Sequence, residues 1–334
     1  MTLETIQVRP MSVRIPPAAA LILLSIVVAV AACVAQAAGD TPSRHSHVAK
    51  NAVIVVMDGV RCSEFLCDPK HEQVPRIATG IMPAGTAYTN FWDDGLTETN
   101  PGHATLVTGF HERIANDGSE LPAHPTIFQL FRKATRADAS AAWAVTSKDK
   151  LAVLGDSSDP GWKGRFTASV DAGKGGRGLG SGYREDKETF ERALLILRRD
   201  HPRLMLVNFK GPDAAGHGGD WQAYLAAVRG ADELVARLWE LLRADPFYAG
   251  TTDLFVTNDH GRHCGAGFAN HGDGCQCCRH IGLVATGPDF PKGEVDDVRR
   301  EQIDIPATIA HVLGFGIPGA QGRVLPEVEG ATRP

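Results

Sequence analysis

The chain has 334 residues, a formal charge of −5, and 43% hydrophobic against 22% charged residues. That mixture excludes a disordered, collagen-like or coiled-coil protein. Its mild acidity argues against a general nucleic-acid binder, which needs a basic face to displace counterions. At the amino end, Arg9 and Arg14 precede an apolar run, Ala18–Val34, and small residues follow through Gly39. A basic start, an apolar stretch and a small-residue exit read as a secretory signal over residues 1–38, leaving one domain over 39–334. Two other readings stay open: a lipoprotein leader with Cys33 lipidated after Val30-Ala31-Ala32, and an uncleaved anchor at the short limit for crossing a bilayer. All three export the chain to the periplasm or beyond, and membrane contact is expected through this leader alone.

Asn51–Met57 (NAVIVVM) is a β-branched run of the kind found in strands buried on both faces. Thr99-Asn100-Pro101-Gly102-His103 reads as a tight turn entering a helix that ends at Gly109. Such a helix start suits a phosphate; the plain alternative is that Thr99 only caps it. A strand follows over Ala141–Thr146. Gly173–Gly182 lacks the spacing of a phosphate-binding loop and reads as a mobile surface loop. Helical spacing over Thr189–Arg199 and Tyr224–Leu242 alternates with strands at Leu204–Phe209, Leu254–Thr257 and Ile281–Ala285. This alternation predicts an α/β fold with a largely parallel sheet covered on both faces.

Sites in such sheets form beyond the carboxyl ends of the strands. Asp58, Lys148, Asp213 and the pair Asp259-His260 sit at four of those ends. Asp213 and His217 lie four residues apart in a glycine-containing turn, close enough to grip one ion. With His271 the set holds three carboxylates and three imidazoles, donors that suit zinc. Six donors make two sites of three, each with one position open, as in catalytic rather than structural zinc. Of seven cysteines, Cys33 falls in the leader. The other six (Cys62, Cys67, Cys264, Cys275, Cys277, Cys278) read as disulfides in an exported chain, with the pairing undetermined. The competing reading is a thiolate metal site between Cys264 and Cys278.

The motifs, taken in order, resemble the alkaline phosphatase superfamily, particularly its nucleotide pyrophosphatase/phosphodiesterase branch. The resemblance runs from Asn51 to Gly322. It rests on Val56-Met57-Asp58-Gly59, the Thr99–Gly109 segment, Pro212-Asp213 with Gly216-His217, Asp259-His260-Gly261, His271-Gly272, and Ile303–Ala310 with Leu313-Gly314. It implies an α/β/α sandwich with two zinc ions, one on Asp213, His217 and His271, the other on Asp58, Asp259 and His260 beside Thr99. The glycine after it favours His271 over His263 and His280. Thr99 becomes the nucleophile, and a zinc-bound water hydrolyses the phospho-threonine intermediate. The Asn100 N–H and the Asn116 side chain are implied to hold a phosphoryl oxygen.

Asn100-Pro101-Gly102-His103 is similar to the Gly-Pro-Gly-His turn of the threonine-nucleophile alkaline phosphatases. Ser147-Lys148-Asp149-Lys150 is similar to their Ser-x-Lys-Asp-Arg motif, with Lys150 in place of the arginine. Two extra cations favour a monoester dianion over a diester monoanion, so the expected substrate is a small phosphate monoester. The second reading is a phosphodiesterase or nucleotide pyrophosphatase with the same machinery. A third, from another class, is a non-catalytic metal-binding or metal-storage protein. A sulfatase fits less well, because the Cys/Ser-x-Pro-x-Arg signature is absent. A phosphoethanolamine transferase would account for a retained leader.

Overall fold

The computed structural model describes residues 47–330, so the expected leader lies outside the described residues. Nine strands form one sheet: β1 (Asn51–Met57), β2 (Gly85–Trp92), β3 (Ala142–Thr146), β4 (Ser169–Ala172), β5 (Leu204–Phe209), β6 (Thr252–Thr257), β7 (His280–Thr286), β8 (Glu294–Asp296) and β9 (Arg300–Glu301). Their spatial order is β4-β3-β5-β1-β6-β7-β2-β8, with β9 also paired to β2. The block from β4 to β6 is parallel, whereas β7 runs antiparallel to both β6 and β2. The five strands read from sequence are all present, within two residues of the expected ends. The edge formed by β2 and the short strands β8 and β9 parallel to it was not anticipated, because Gly85–Trp92 (GTAYTNFW) lacks a continuous aliphatic run.

Strand β1 is buried throughout, and its side chains alternate between two cores. Ala52, Ile54 and Val56 face one cluster, which takes in helices α1 (Thr99–Thr108) and α2 (Ile127–Thr135). Val53, Val55 and Met57 face the other, which takes in α3 (Asp186–Asp200). Next in the chain come α4 (Gly211–His217), the long α5 (Trp221–Ala244) on the second face, the short α6 (Gln276–Arg279), and α7 (Asp304–Val312) on the first face. Helix α2 opens on a capping box in which Thr126 accepts from Gln129 N and the Gln129 side chain accepts from Thr126 N. The result is the expected α/β/α arrangement. Among the described residues no helix is long and apolar enough to cross a membrane.

Three local expectations are corrected. No separate turn precedes α1: the helix begins at Thr99, with Pro101 and Gly102 inside its first turn. Asp213 and His217 sit on the short helix α4, whose pitch brings residues four apart onto one face. The six cysteines form two disulfides, Cys62–Cys67 and Cys264–Cys277, while Cys275 and Cys278 are free thiols. The glycine-rich segment is a loop, but Asp149 Oδ2 pins it, accepting from Gly180 N and Gly182 N at 2.9 and 2.8 Å.

Asp253 on β6 is fully buried, and its Oδ2 has no hydrogen-bond partner. Burial first, then repulsion from Asp289, holds its pKa well above the usual carboxylate value. The native state therefore keeps this proton more tightly than the unfolded chain does. Its stabilising effect is present below the ordinary carboxylate pKa and is lost as pH rises through the raised native value. The urea midpoint of the wild type should fall between about pH 5 and about pH 8 by more than that of Asp253→Asn. Equal falls in the two proteins would refute this account.

Candidate active site

The carboxyl ends of β1, β3, β5 and β6 converge on one buried cluster. Asp58 follows β1 and is fully buried. Lys148 follows β3 and is 2% exposed. Its ammonium lies 3.0 Å from Asp58 Oδ1, 2.6 Å from Asp213 Oδ2 and 2.9 Å from Thr99 Oγ1. One cation thus joins two of the expected carboxylate donors to the expected nucleophile. Thr99 stands at the amino end of α1, a helix whose ten residues are all buried. Two glycines make the approach possible. A Cβ on Gly59, at φ +69°, would come within 2.8 Å of Asp213 Oδ1, and one on Gly102 within 2.7 Å of the Asp259 carbonyl oxygen.

The first expected donor set is brought together. His217 Nε2 and His271 Nε2 are 3.0 Å apart, and each is 3.4 Å from Asp213 Oδ1. Two ring nitrogens facing each other at that distance need a proton or a cation between them. His271 is the histidine in place: His263 faces Asp273, and His280 stacks on Trp92. In the second set, His260 Nε2 is 3.4 Å from Asp259 Oδ2 and 3.9 Å from Asp58 Oδ1. Asp259 Oδ2 and His260 Nε2 are buried without a hydrogen-bond partner. Backbone carbonyls accept from the other nitrogens, His260 Nδ1 to Gly261 O at 2.8 Å and His271 Nδ1 to Thr97 O at 2.9 Å. These bonds turn both Nε2 lone pairs into the cluster, as metal-ligating histidines require. Orphaned donor atoms of this type fit a divalent cation such as zinc.

His103 was read only within the Asn100–His103 turn, with no role of its own, and Arg262 was not singled out from the sequence. His103 joins Asp58 and Asp259 in one group of donor atoms within 4.8 Å of one another. Its ring is already engaged: Nδ1 donates to Thr99 O at 2.8 Å and lies 3.1 Å from Asp259 Oδ2, while Asn208 Nδ2 donates to Nε2 at 3.0 Å. Asn208 also donates to Asp58 Oδ2 at 2.9 Å, so His103 and Asn208 position carboxylates. Arg262, fully buried, pairs with Asp213 Oδ1 and donates to Ala269 O at 2.7 Å. The signal for His103 was its spacing of four from Thr99 on a helix. Arg262 was legible only as the residue after Asp259-His260-Gly261.

The charges are strongly coupled. Burial first, then Asp259, pushes Asp58 up to about 6 against the pull of Lys148. Burial also opposes ionisation of Asp213, but Lys148, His271, His260 and Arg262 together hold it well below the usual range. Burial drives His260 down to about 3, so its imidazole is neutral, the form that ligates metals. Lys148 stays protonated despite burial because Asp213, Asp58 and Asp259 surround it.

Asn100, Asn116 and Lys150 form an adjoining group. Asn116 Oδ1 accepts from Asn100 N at 2.9 Å and from Lys150 Nζ at 2.8 Å, and Asn100 Nδ2 donates to Lys150 O at 3.0 Å. The Asn100 N–H is therefore engaged with Asn116.

The sequence profile of the type I phosphodiesterase / nucleotide pyrophosphatase family matches residues 116–264. That stretch includes Asn116, Lys148, Asp213, His217, Asp259 and His260 but not Asp58, Thr99 or His271. A 2,3-bisphosphoglycerate-independent phosphoglycerate mutase of Haloquadratum walsbyi is 28% identical over 135 residues, 40% of this chain and 26% of its own. A GPI ethanolamine phosphate transferase 1 of Emericella nidulans is 24% identical over 328 residues, 81% of this chain and 33% of its own. The chain spans about a quarter to a third of the length of these curated relatives. Among solved structures, a phosphonate monoester hydrolase from Silicibacter pomeroyi is similar at TM-score 0.61 and 14% identity, over 85% of this chain and 77% of that one. Murine ectonucleotide pyrophosphatase / phosphodiesterase 5 is similar at TM-score 0.57 and 15% identity, over 81% of this chain and 97% of that one. At such identities these likenesses establish the fold. Profile, relatives and fold together support the expected resemblance to the alkaline phosphatase superfamily.

Proposed function

We propose that this chain is a metal-dependent phosphoric ester hydrolase in which Thr99 Oγ1 is the nucleophile, acting on small phosphate monoesters. The observation that carries this reading is the buried Lys148 ammonium 2.9 Å from Thr99 Oγ1, at the amino end of a buried helix. Asp213, His217 and His271 would hold one zinc, and Asp58, Asp259 and His260 the other. Bound there, zinc supplies Lewis-acid charge that acidifies a hydroxyl and stabilises developing oxyanions. The carboxylate oxygens that Lys148 holds are those a cation would use, so ammonium and metal compete for them. Released from them, the ammonium faces Thr99 and a phosphoryl oxygen. Thr99 attacks phosphorus and the ester oxygen leaves, giving a phospho-threonine that water hydrolyses. Asn100 N–H and Lys150 Nζ already converge on a single oxygen, Asn116 Oδ1; a phosphoryl oxygen competes for those two donors. Two lysines favour a dianionic monoester. The two disulfides suit an oxidising compartment and support export to the periplasm or cell exterior.

A second reading, cleavage of phosphodiesters or nucleotide pyrophosphates by the same Thr99, is favoured by the profile match over residues 116–264. Initial rates on p-nitrophenyl phosphate and bis-p-nitrophenyl phosphate separate the two. The monoester reading expects faster monoester cleavage, lost in Thr99→Ala and reduced on the order of 10²-fold in Lys148→Ala with a weakened preference. A diester preference indifferent to both lysines would select the second reading. Ions bound with neither ester cleaved would leave the non-catalytic one.

Metal removal gives a second test. Dialysis against a chelator should abolish hydrolysis and zinc should restore it, with Asp213→Asn and Asp259→Asn each binding fewer ions than the wild type. Gly102→Ala, which pushes on the Asp259 backbone, should weaken zinc uptake by about 10-fold with an unchanged far-ultraviolet dichroism spectrum. Unaltered zinc affinity would show that Gly102 does not control the placement of Asp259.

A further inference from the structure

A second donor group lies beside this cluster and shares no residue with it. One donor atom each from His263, Asp273, Cys275 and Cys278 fall within 4.8 Å of one another. Cys275 precedes the short helix α6 and Cys278 lies within it, and the amides of Cys278 and Arg279 both donate to Cys275 O at 3.0 Å. That turn brings the two free sulfurs 3.1 Å apart. Cys278 is fully buried, with its Sγ 3.7 Å from Asp273 Oδ1. Asp273 Oδ2 lies 3.0 Å from His263 Nε2, yet that buried nitrogen makes no hydrogen bond. The Cys264–Cys277 disulfide clamps the two arms, because Cys264 follows His263 and Cys277 precedes Cys278. His263 and Cys278 are thus held together by a covalent link one residue from each.

We propose that His263, Asp273, Cys275 and Cys278 form a structural zinc site that fixes the loop carrying His271. Two sulfurs, an imidazole and a carboxylate make a closed set of four, the number that structural zinc takes, and sulfur donors select zinc over magnesium or calcium. The loop needs such a tie. Asp273 follows His271 by two residues, Gly274 N donates to Thr97 Oγ1 at 3.2 Å, and Thr97 O receives His271 Nδ1. On the other side, Gly261 N donates to Cys278 O at 2.7 Å, directly after the Asp259-His260 pair. The group therefore links both ends of the segment that delivers His260 and His271.

Cobalt substitution of the full chain tests this independently of hydrolysis. Thiolate ligation gives cobalt a near-ultraviolet charge-transfer band, which the carboxylate and imidazole donors of the catalytic cluster cannot supply. The band is expected in the wild type and in Asp213→Asn, and its loss is expected in Cys275→Ser and Cys278→Ser, together with one equivalent of zinc per chain. Failure of the catalytic reading leaves this result unchanged. Should the serine variants fail to fold, wild-type alkylation decides: zinc should shield two thiols and a chelator should expose them. Two thiols that react equally with and without zinc would overturn the site. So would a non-reduced mass showing a third disulfide between Cys275 and Cys278.

Discussion

Three carboxylates buried at one sheet edge must be met by positive charge. Asp58, Asp213 and Asp259 come from three different strand ends, and all are at most 3% exposed. Their repulsion is visible in Asp58, pushed up to about 6 by burial and then by Asp259. The chain supplies Lys148 between Asp58 and Asp213 and Arg262 on the far oxygen of Asp213, while Asp259 faces the His103 imidazole. A cluster so charged is costly to bury unless each member is paired. The parallel block from β4 to β6 is what forces it, because its strands all end on the same side.

Much of this was legible in the sequence because it is local or periodic. A β-branched run ending in Asp58, or Asp213 and His217 spaced by one helical turn, exposes its geometry without knowledge of the fold. The glycines were legible as turn residues, but their reason was not. Gly102 is small because α1 runs against the Asp259 backbone, a contact between segments more than 150 residues apart. His103 was hidden for the same reason: its partners Asn208 and Asp259 come from elsewhere in the chain. The β2 edge escaped because its mixed composition follows from packing against β7 on one side and short strands on the other.

The cysteines show the limit of counting. An even number in an exported chain suggested complete pairing, yet disulfide geometry is a matter of backbone approach. Cys62 and Cys67 are closed by a short turn, and Cys264 meets Cys277 across a loop. Cys275 and Cys278 stay free thiols, 3.1 Å apart, beside a histidine and a carboxylate. Nothing in the spacing distinguishes a thiol facing a thiol from one facing an imidazole; only the fold of residues 261–278 does.

Lys148 joins the two halves of the functional argument. A buried ammonium with three oxygens around it stabilises the folded pocket by neutralising Asp58 and Asp213. The same group touches the hydroxyl proposed to attack phosphorus. Arginine would do the first task with a rigid fork, but an ammonium on a flexible stem turns more readily from carboxylate to phosphoryl oxygen. Lys150, buried and bound to Asn116, carries a second such charge. Because the counter-ion shared by Asp58 and Asp213 is a lysine, it holds both carboxylates in place and keeps its charge movable, a combination suited to the dianion proposed as substrate.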